Sequence, residues 1–344
     1  MGRDEFSCLV LRELYEAKDV WKDITIATLP DVHVGRRGSV LSISPLKILG
    51  EELKIPVHTI PKEKRDFKTW QLPPPFSAEP ENLPPLNHLL ISASFGRILT
   101  GKMLNSFQHS RRLNVHPSLL PSYRGPAPIQ HTILNNEKEA GVCVIEMLKK
   151  SEGIDTGSLW GCQRMPVPPD VTFEGLRDSL AVKGGKLLVS VLRDAMVGKA
   201  TALAQPPAED APRASFITAK DAHVDFETMT AEVIHRRFRA ISHQKPLFTY
   251  TPDGKPLQLR QFAPINLESS ALVNLSSRPG ETVLSKSDKM LLIRCAADTV
   301  LGVTKVKPEG KPDRNAGEFW RGLRAVKEGA KQVVFGTSVD RGLL

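Results

Sequence analysis

The sequence predicts an α/β protein: a doubly wound, mostly parallel sheet followed by a smaller C-terminal β-barrel of OB type. Three observations carry this. Short apolar runs of strand character alternate with helical patterns through the first 200 residues, as in sheets with crossover helices. The stretch 200–215, ATALAQPPAEDAPRAS, has linker composition. Beyond it, short strands follow one another behind a single short helix. The expected organisation is a first domain over 1–199, a linker over 200–215 and a second domain over 216–344.

Taken in order, FSCLVLRELYEA (6–17) has apolar residues at helical spacing, and ITIATLP (24–30) reads as a strand. SPLKILGEELK (44–54) opens a helix with Ser44 at the N-cap and Pro45 at the first helical position. IPVHTIP (55–61) is a second strand, and HLLISASFG (88–96) is a buried one stopped by Gly96. Between them, QLPPPFSAEPENLPPL (71–86) is too rich in proline for regular structure. VCVIEML (142–148) and LWGCQRMPV (159–167) are strands. TFEGLRDSLAVKGGKLLVSVLRDAM (172–196) is a long helix capped by Thr172, with Gly184-Gly185 as an expected weak point. In the second domain TAEVIHRRFRAIS (230–242) is a helix. PLFTYTPDGKPLQLRQFAPI (246–265) is a hairpin turning at Asp253-Gly254, and 281–310 holds two or three further strands.

Composition sets the bounds. At 344 residues, 40% hydrophobic and 25% charged, the chain can build an ordinary core, and no apolar run reaches the length of a membrane span. Cys8, Cys143, Cys162 and Cys295 form no CxxC pair, which argues for buried small side chains in a reducing compartment rather than zinc ligands or disulfides. No metal is expected, because no His/Cys/Asp cluster has ligand spacing. No GxGxxG follows a strand, which sets aside a nicotinamide enzyme. The net charge of +9 is uneven: from Arg213 onward there are 21 Lys and Arg against 14 Asp and Glu, whereas residues 1–212 carry 26 against 24. Such a basic final third suits a polyanion such as nucleic acid; a solvated basic surface would give the same excess.

The chemistry-bearing stretch is LNVHPSLLPSYRGPAP, residues 113–128. In an extended strand Asn114 and His116 share one face and Val115 points to the other. Pro117 and Pro121 stiffen the loop at the strand's C-terminal end, where open α/β sheets bind ligands. Asp155 lies in SEGIDTGSLW (151–160) between Gly153 and Gly157, which permit tight backbone geometry. Asn, His and Asp together suit acyl transfer without a covalent intermediate: two donors for a developing oxyanion, and a carboxylate that orients the imidazole and helps move a proton.

NVHPSLLPSYRGPAPI, followed about forty residues later by GIDTG, resembles the Asn-x-His…SLLP…Asp-Thr-Gly signature of the folate-dependent formyltransferases. The resemblance implies a Rossmann-like formyltransferase domain with Asn114, His116 and Asp155 as the catalytic trio. It further implies 10-formyltetrahydrofolate as co-substrate, with Ser118, Leu119, Leu120 and Pro121 lining its site. SFGRIL (94–99) resembles the family's folate-site strand end, which adds Gly96, Arg97 and Ile98. Within the family the chain looks most like the branch that formylates initiator methionyl-tRNA. GRRGSVLSISPLKILGEELKIPV (35–57) is similar to that branch's basic loop, which implies tRNA contacts from Arg36, Arg37 and Lys47. RRFRAISHQKPLF (236–248) is similar to its C-terminal domain, whose basic module would meet tRNA phosphates. Other family readings are formylation of a sugar nucleotide and hydrolysis of the folate; an inactive RNA-binding homologue is the reading from a different class.

The family begins with a hydrophobic strand ending in a Phe-x-Gly type turn. MGRDEFS begins at the turn, so the first strand, central in such sheets, is expected to be missing. A monomer is expected, without membrane attachment. The basic pI and the insert at 71–86 favour a mitochondrial matrix, with a bacterial cytoplasm as the alternative.

Overall fold

The computed structural model describes residues 1–34, 39–76, 83–265 and 270–336, and divides into two units, Met1–Phe216 and Ile217–Leu344. Arg36 and Arg37 lie outside the described residues.

The first unit runs α1 (Glu5–Glu16), β1 (Ile26–Thr28), β2 (Val32–Val34), β3 (Val40–Ser42), α2 (Pro45–Glu52), β4 (Val57–Thr59), α3 (Lys64–Phe67), β5 (Leu90–Ser92), α4 (Gly101–Asn105), β6 (Arg112–His116), α5 (Pro128–Leu134), β7 (Glu139–Glu146), β8 (Leu159–Pro166) and α6 (Phe173–Met196). α1 begins at a reciprocal cap: the Asp4 carboxylate accepts from Ser7 N–H and Ser7 Oγ accepts from Asp4 N–H. Phe6, Val10, Leu11 and Leu14 form its buried stripe. Ser44 stands at the N-cap of α2, but its hydroxyl bonds Arg3 O and Thr28 Oγ1 instead of the helix. Thr172 caps α6 through Gly175 N–H.

Two readings of this unit are corrected by the structure. Gly184-Gly185 is not a weak point, because α6 is continuous there. A Cβ on Gly184 would stand 2.6 Å from Val115 Cγ1, and one on Gly185 would stand 2.6 Å from Glu13 Cβ. The two glycines therefore let α6 lie close against the sheet on one side and against α1 on the other. The sheet is of the expected α/β class, with an antiparallel edge. β1 pairs β4 and β5 pairs β6 in parallel, but β6–β7 and β7–β8 are antiparallel. Residues 117–138 leave and re-enter at the same end of β6, so no crossover forms and β7 must run back.

That reversal places Cys143 opposite Cys162 on β7 and β8, where the two form a disulfide. The structure thus pairs two of the four cysteines that the sequence reading took as unpaired side chains. Cys8 and Cys295 are free, and burial pushes both thiols up to about 12.

Between the halves β1–β4 and β5–β8 sits the start of the chain. Met1 N donates to Ile91 O at 2.6 Å and Met1 O accepts from Ala93 N, while Gly2 N donates to Ala27 O.

The second unit runs α7 (Ala219–Ala222), α8 (Ala231–Ile241), β9 (Phe248–Tyr250), β10 (Pro256–Phe262), β11 (Glu281–Ser285), β12 (Met290–Arg294), β13 (Val300–Pro308), β14 (Arg314–Asn315), α9 (Ala316–Gly322), α10 (Arg324–Lys327) and β15 (Val333–Val334). Its antiparallel sheet has the order β15-β11-β12-β13-β10-β9, with β14 on β13. Among the described residues no ladder joins β9 to β15, so the expected barrel is an open path. Gly336 N nevertheless donates to Tyr250 O. The Asp253-Gly254 turn is as expected, with Gly254 at φ +73°. Leu257, Leu259, Leu291, Ile293, Leu301, Val303 and Val306 are buried along the alternating strand faces. No helix among the described residues is long and apolar enough to cross a membrane.

Candidate functional site

β6 is an interior strand, bonded to β5 through Ser92↔Asn114 and to β7 through Asn114↔Ile145 and His116↔Cys143. Alternation puts Asn114 and His116 on one face and Val115 on the other, against Gly184 of α6. Directly opposed residues of an antiparallel pair share a face, so Ile145 and Cys143 lie beside Asn114 and His116. With Leu120 and Leu159 they form a small apolar cluster at the base of the site.

His116 is buried, and each of its ring nitrogens faces an oxygen. Nε2 lies 3.1 Å from Tyr123 O and, because a carbonyl can only accept, carries a proton. Nδ1 lies 3.9 Å from Asp155 Oδ2, with the two side chains only 5% and 14% exposed. That separation is too long for a direct hydrogen bond. Asp155 Oδ2 also accepts from Gly125 N–H at 3.0 Å.

The Asp155 segment leaves β7 beside Leu113, the far end of β6 from His116, and must fold back over the face to reach the imidazole. Its glycines permit this. Gly153 has φ +114°, and a Cβ on Gly157 would stand 2.0 Å from Glu146 O. Asp155 itself has φ +58°, a region Asp tolerates better than most side chains. Gln205 holds the bend from the other side. Its Nε2 donates to both Asp155 O and Gly157 O at 2.8 Å, and its Oε1 accepts from Arg124 Nε at 3.0 Å. The stretch expected to be a linker is therefore laid along the first unit. Leu203 exchanges backbone hydrogen bonds with Leu159, Ala214 N donates to Arg124 O, and Tyr123 N donates to Pro212 O.

The loop after β6 is fixed from within. Ser118 N donates to His116 O and Ser118 Oγ donates to Ser122 O. Leu120 is buried in the apolar cluster, Leu119 packs on Gly141, and Pro121 is half-buried. The Tyr123 hydroxyl donates to Glu137 and accepts from Asn135 Nδ2, and burial pushes it up to about 12. Gly96, Arg97 and Ile98 follow the C-terminal end of β5, side by side with that of β6 because the two strands are parallel. Gly96 and Ile98 are exposed, and Arg97 Nη2 donates to Lys62 O. Ser94, at φ +50°, donates to Asp4 Oδ2 and ties this turn to the cap of α1.

Lys47 is elsewhere. It pairs with Asp31 at 2.6 Å, and that hydrogen bond holds its ammonium above the usual lysine value. It stands near the β2–β3 hairpin, which exposes Val34, Val40 and Leu41.

His116 and Asp155 thus meet across 39 positions of sequence, and Asn114 shares the strand face of His116. The Tyr123 carbonyl, the Gly125 amide and Gln205 were not singled out from sequence. The first two are backbone groups without a residue signature, and Gln205 sits in a stretch whose composition reads as a linker.

A family description of formyl transferases matches residues 50–192, and that of the formyl transferase C-terminal domain matches 216–324. The chain is 30% identical over 331 residues to a methionyl-tRNA formyltransferase of Macrococcus caseolyticus, covering 96% of this chain and 97% of that protein. It is 32% identical over 324 residues to one of Listeria monocytogenes, covering 94% of each. Among solved structures it resembles an N-formyltransferase from Helicobacter canadensis, solved with folinic acid and dTDP-3-aminofucose, at TM-score 0.55 and 18% identity over 88% of this chain and 96% of that one. It also resembles HypX from Aquifex aeolicus, solved with tetrahydrofolic acid, at TM-score 0.58 and 17% identity. That match covers 88% of this chain but spans only 48% of HypX. With both domains matched and near-full-length relatives at 30–32% identity, the chain belongs to the formyltransferase family that contains the methionyl-tRNA formyltransferases.

Proposed function

We propose that this chain transfers the formyl group of 10-formyltetrahydrofolate to the α-amine of initiator methionyl-tRNA. The observation that carries the reading is the meeting of His116 and Asp155 beside Asn114 at the C-terminal end of β6, in a chain related along nearly its whole length to methionyl-tRNA formyltransferases. The folate co-substrate is assigned to the loops that follow β5 and β6, where Gly96 and Ile98 are exposed, beside the strand face that carries Asn114 and His116 for a formyl oxygen.

In this reading the amine nitrogen attacks the formyl carbon and a new C–N bond forms. The Asn114 amide donates to the oxygen as it becomes an oxyanion, and the His116 imidazole joins it when its N–H turns from the Tyr123 carbonyl to the substrate. Asp155 keeps the imidazole turned and takes up the proton shed by the amine, which passes to the folate nitrogen as the old C–N bond breaks. Ser118, Leu119, Leu120, Pro121, Gly96, Arg97 and Ile98 are assigned to the folate side. Arg36, Arg37 and Lys47 are assigned to the tRNA side, together with the basic second unit over 216–344.

The test is formyl transfer from 10-formyltetrahydrofolate with methionyl-tRNA, glycinamide ribonucleotide and an amino-sugar nucleotide as competing acceptors. Transfer to the tRNA alone is expected. Transfer to the amino sugar would move the chain to the sugar branch, which the Helicobacter neighbour makes the alternative to exclude. Retained tRNA binding without transfer would identify an inactive RNA-binding homologue. We assign a monomer, checked by light scattering. The pI of 9.4 supports a mitochondrial matrix and the bacterial relatives support a bacterial cytoplasm; fractionation of the source cells decides.

A further inference from the structure

Arg124 and Arg213 stand side by side on the first unit. Arg124 lies in the loop after β6 and Arg213 near the end of the stretch 200–215. The two are bridged in parallel, and Ala214 N donates to Arg124 O. Directly opposed residues of neighbouring extended segments lie about 4.8 Å apart and send their side chains to the same side. The two guanidinium groups therefore share one side of the bridge.

Like charges this close repel unless an anion answers them. Arg124 spends Nε and Nη2 on a single oxygen, Gln205 Oε1, which leaves its Nη1 group over. Arg213 is exposed, and among the described residues its side chain meets no acceptor. The carboxylate that acts on Arg124 is that of Asp155, but Asp155 Oδ2 is turned to Gly125 N–H and His116 instead. Burial first, and then the neighbouring Arg213, hold the Arg124 guanidinium below its usual value. A guanidinium presents its N–H donors in a planar fork that matches the oxygens of a phosphate.

The place of the pair says which phosphate it can meet. Arg124 touches Gln205, and Gln205 Nε2 donates to Asp155 O at 2.8 Å. Arg124 is thus two hydrogen bonds, roughly 6–8 Å, from the Asp155 backbone. In methionyl-tRNA the α-amine is about eight bonds from the phosphorus of the last internucleotide linkage, a reach of roughly 8–10 Å when extended. An amine held beside Asp155 therefore brings that phosphate within range of the two arginines.

We propose that Arg124 and Arg213 form a phosphate subsite for the phosphodiester that joins the last two nucleotides of the acceptor strand. Held there, the phosphate fixes how far the aminoacyl adenosine enters, and so where its amine stands. The proposal rests on the reading of the acceptor as tRNA. The diphosphate of an amino-sugar nucleotide offers the same chemistry on a shorter path, so the probes below separate the two sources.

Arg213 is the residue to change, because Arg124 also braces Gln205. The full chain is compared with Arg213→Gln and Arg213→Lys. Each is titrated by calorimetry with the dinucleotide CpA, with its uncharged methylphosphonate analogue, and with dTDP. The full chain is expected to bind CpA about fivefold or more tighter than the analogue. Arg213→Gln is expected to bind both about equally, and Arg213→Lys to keep most of the preference. In formyl transfer, Arg213→Gln is expected to raise KM for methionyl-tRNA by about fivefold to tenfold with little change in kcat. The slope of log(kcat/KM) against log salt should fall in magnitude by about 0.7, one single-strand phosphate contact. Equal binding of CpA and its analogue by the full chain would overturn the proposal. So would a preference that survives in Arg213→Gln, or a lysine variant as impaired as the glutamine one. If dTDP loses affinity in Arg213→Gln and CpA does not, the pair serves a sugar nucleotide and the tRNA assignment of this subsite falls. Transfer to the amino sugar alone in the acceptor assay would defeat the proposed function on its own, and the CpA titration would still decide the pair.

Discussion

The two halves of the first unit's sheet are held in opposite ways. From β5 to β8 every interior strand has a partner on each side, and the loops that carry Asp155 and Tyr123 are tied down by amides, carbonyls and Gln205. From β1 to β5 the backbone ladder is two residues deep and the rest is cavity. β5 belongs to both. The difference teaches that the candidate chemistry rests on the knitted half, while the other half carries fewer backbone hydrogen bonds between its strands. Changes in one half should move activity, and changes in the other should move unfolding.

The strongest separation is expected from Asp155→Asn. The amide keeps the shape and can still accept from Gly125 N–H, but it loses the charge facing His116. Turnover should fall by about 10²–10⁴ with Tm and tRNA binding nearly unchanged. A parallel loss of tRNA binding, measured by filter retention, would remove Asp155 from the chemistry.

The gap gives the matching effect on stability. The Met1 amine has a folded pKa of about 5 against 8.0 when free. As pH falls through 8 the unfolded chain takes the proton first, so stability is lost progressively between pH 8 and about 5 and is level below that. The loss is bounded at about 4 kcal/mol by the three-unit difference. Urea unfolding of the 344-residue chain across this window checks it, and acetylating the amine should flatten the curve while leaving formyl transfer unaffected.

Gly157→Ala tests the knitted half by force. The added Cβ would meet Glu146 O at 2.0 Å, so the bend carrying Asp155 must move. A stability cost of about 1–3 kcal/mol is expected, together with reduced turnover. If Tm drops and kcat does not, the bend tolerates displacement and the 3.9 Å His116–Asp155 contact is not critical.

Much of this contrast was legible in the residues. Apolar spacing gave α1 and α6 nearly to the residue, and the alternation of Asn114, Val115 and His116 gave the face on which the site lies. Three things were hidden. Strand direction depends on where a connection re-enters the sheet, so the reversal at β7 and the Cys143–Cys162 pairing that follows from it have no local signal. Glycine reads the same whether it loosens a helix or admits a neighbour, so Gly184-Gly185 looked weak until Val115 and Glu13 were seen against it. Hydrogen bonds to Tyr123 O and Gly125 N depend on backbone path alone.

Gln205 gives the mildest and most discriminating test, because it touches the bend and none of the trio's side-chain atoms. Gln205→Leu keeps the bulk and removes both donors, leaving Asp155 O and Gly157 O without these partners and Arg124 without its acceptor. Lost hydrogen bonds of this kind cost about 1–3 kcal/mol when the stranded groups stay buried; Asp155 and Arg124 are half-buried and can recruit water whereas Gly157 is buried, so the middle of that range applies. A drop of roughly tenfold in kcat is expected, with KM for tRNA unchanged, since the effect acts through the angle of Asp155 towards His116. Gln205→Glu separates position from packing: it keeps the length but presents acceptors to two carbonyls, and should be worse than leucine. If Glu and Leu behave alike, or if KM moves and kcat does not, Gln205 serves only to lay residues 200–215 on the unit, and the bend around Asp155 holds its shape from Gly153 and Gly157 alone.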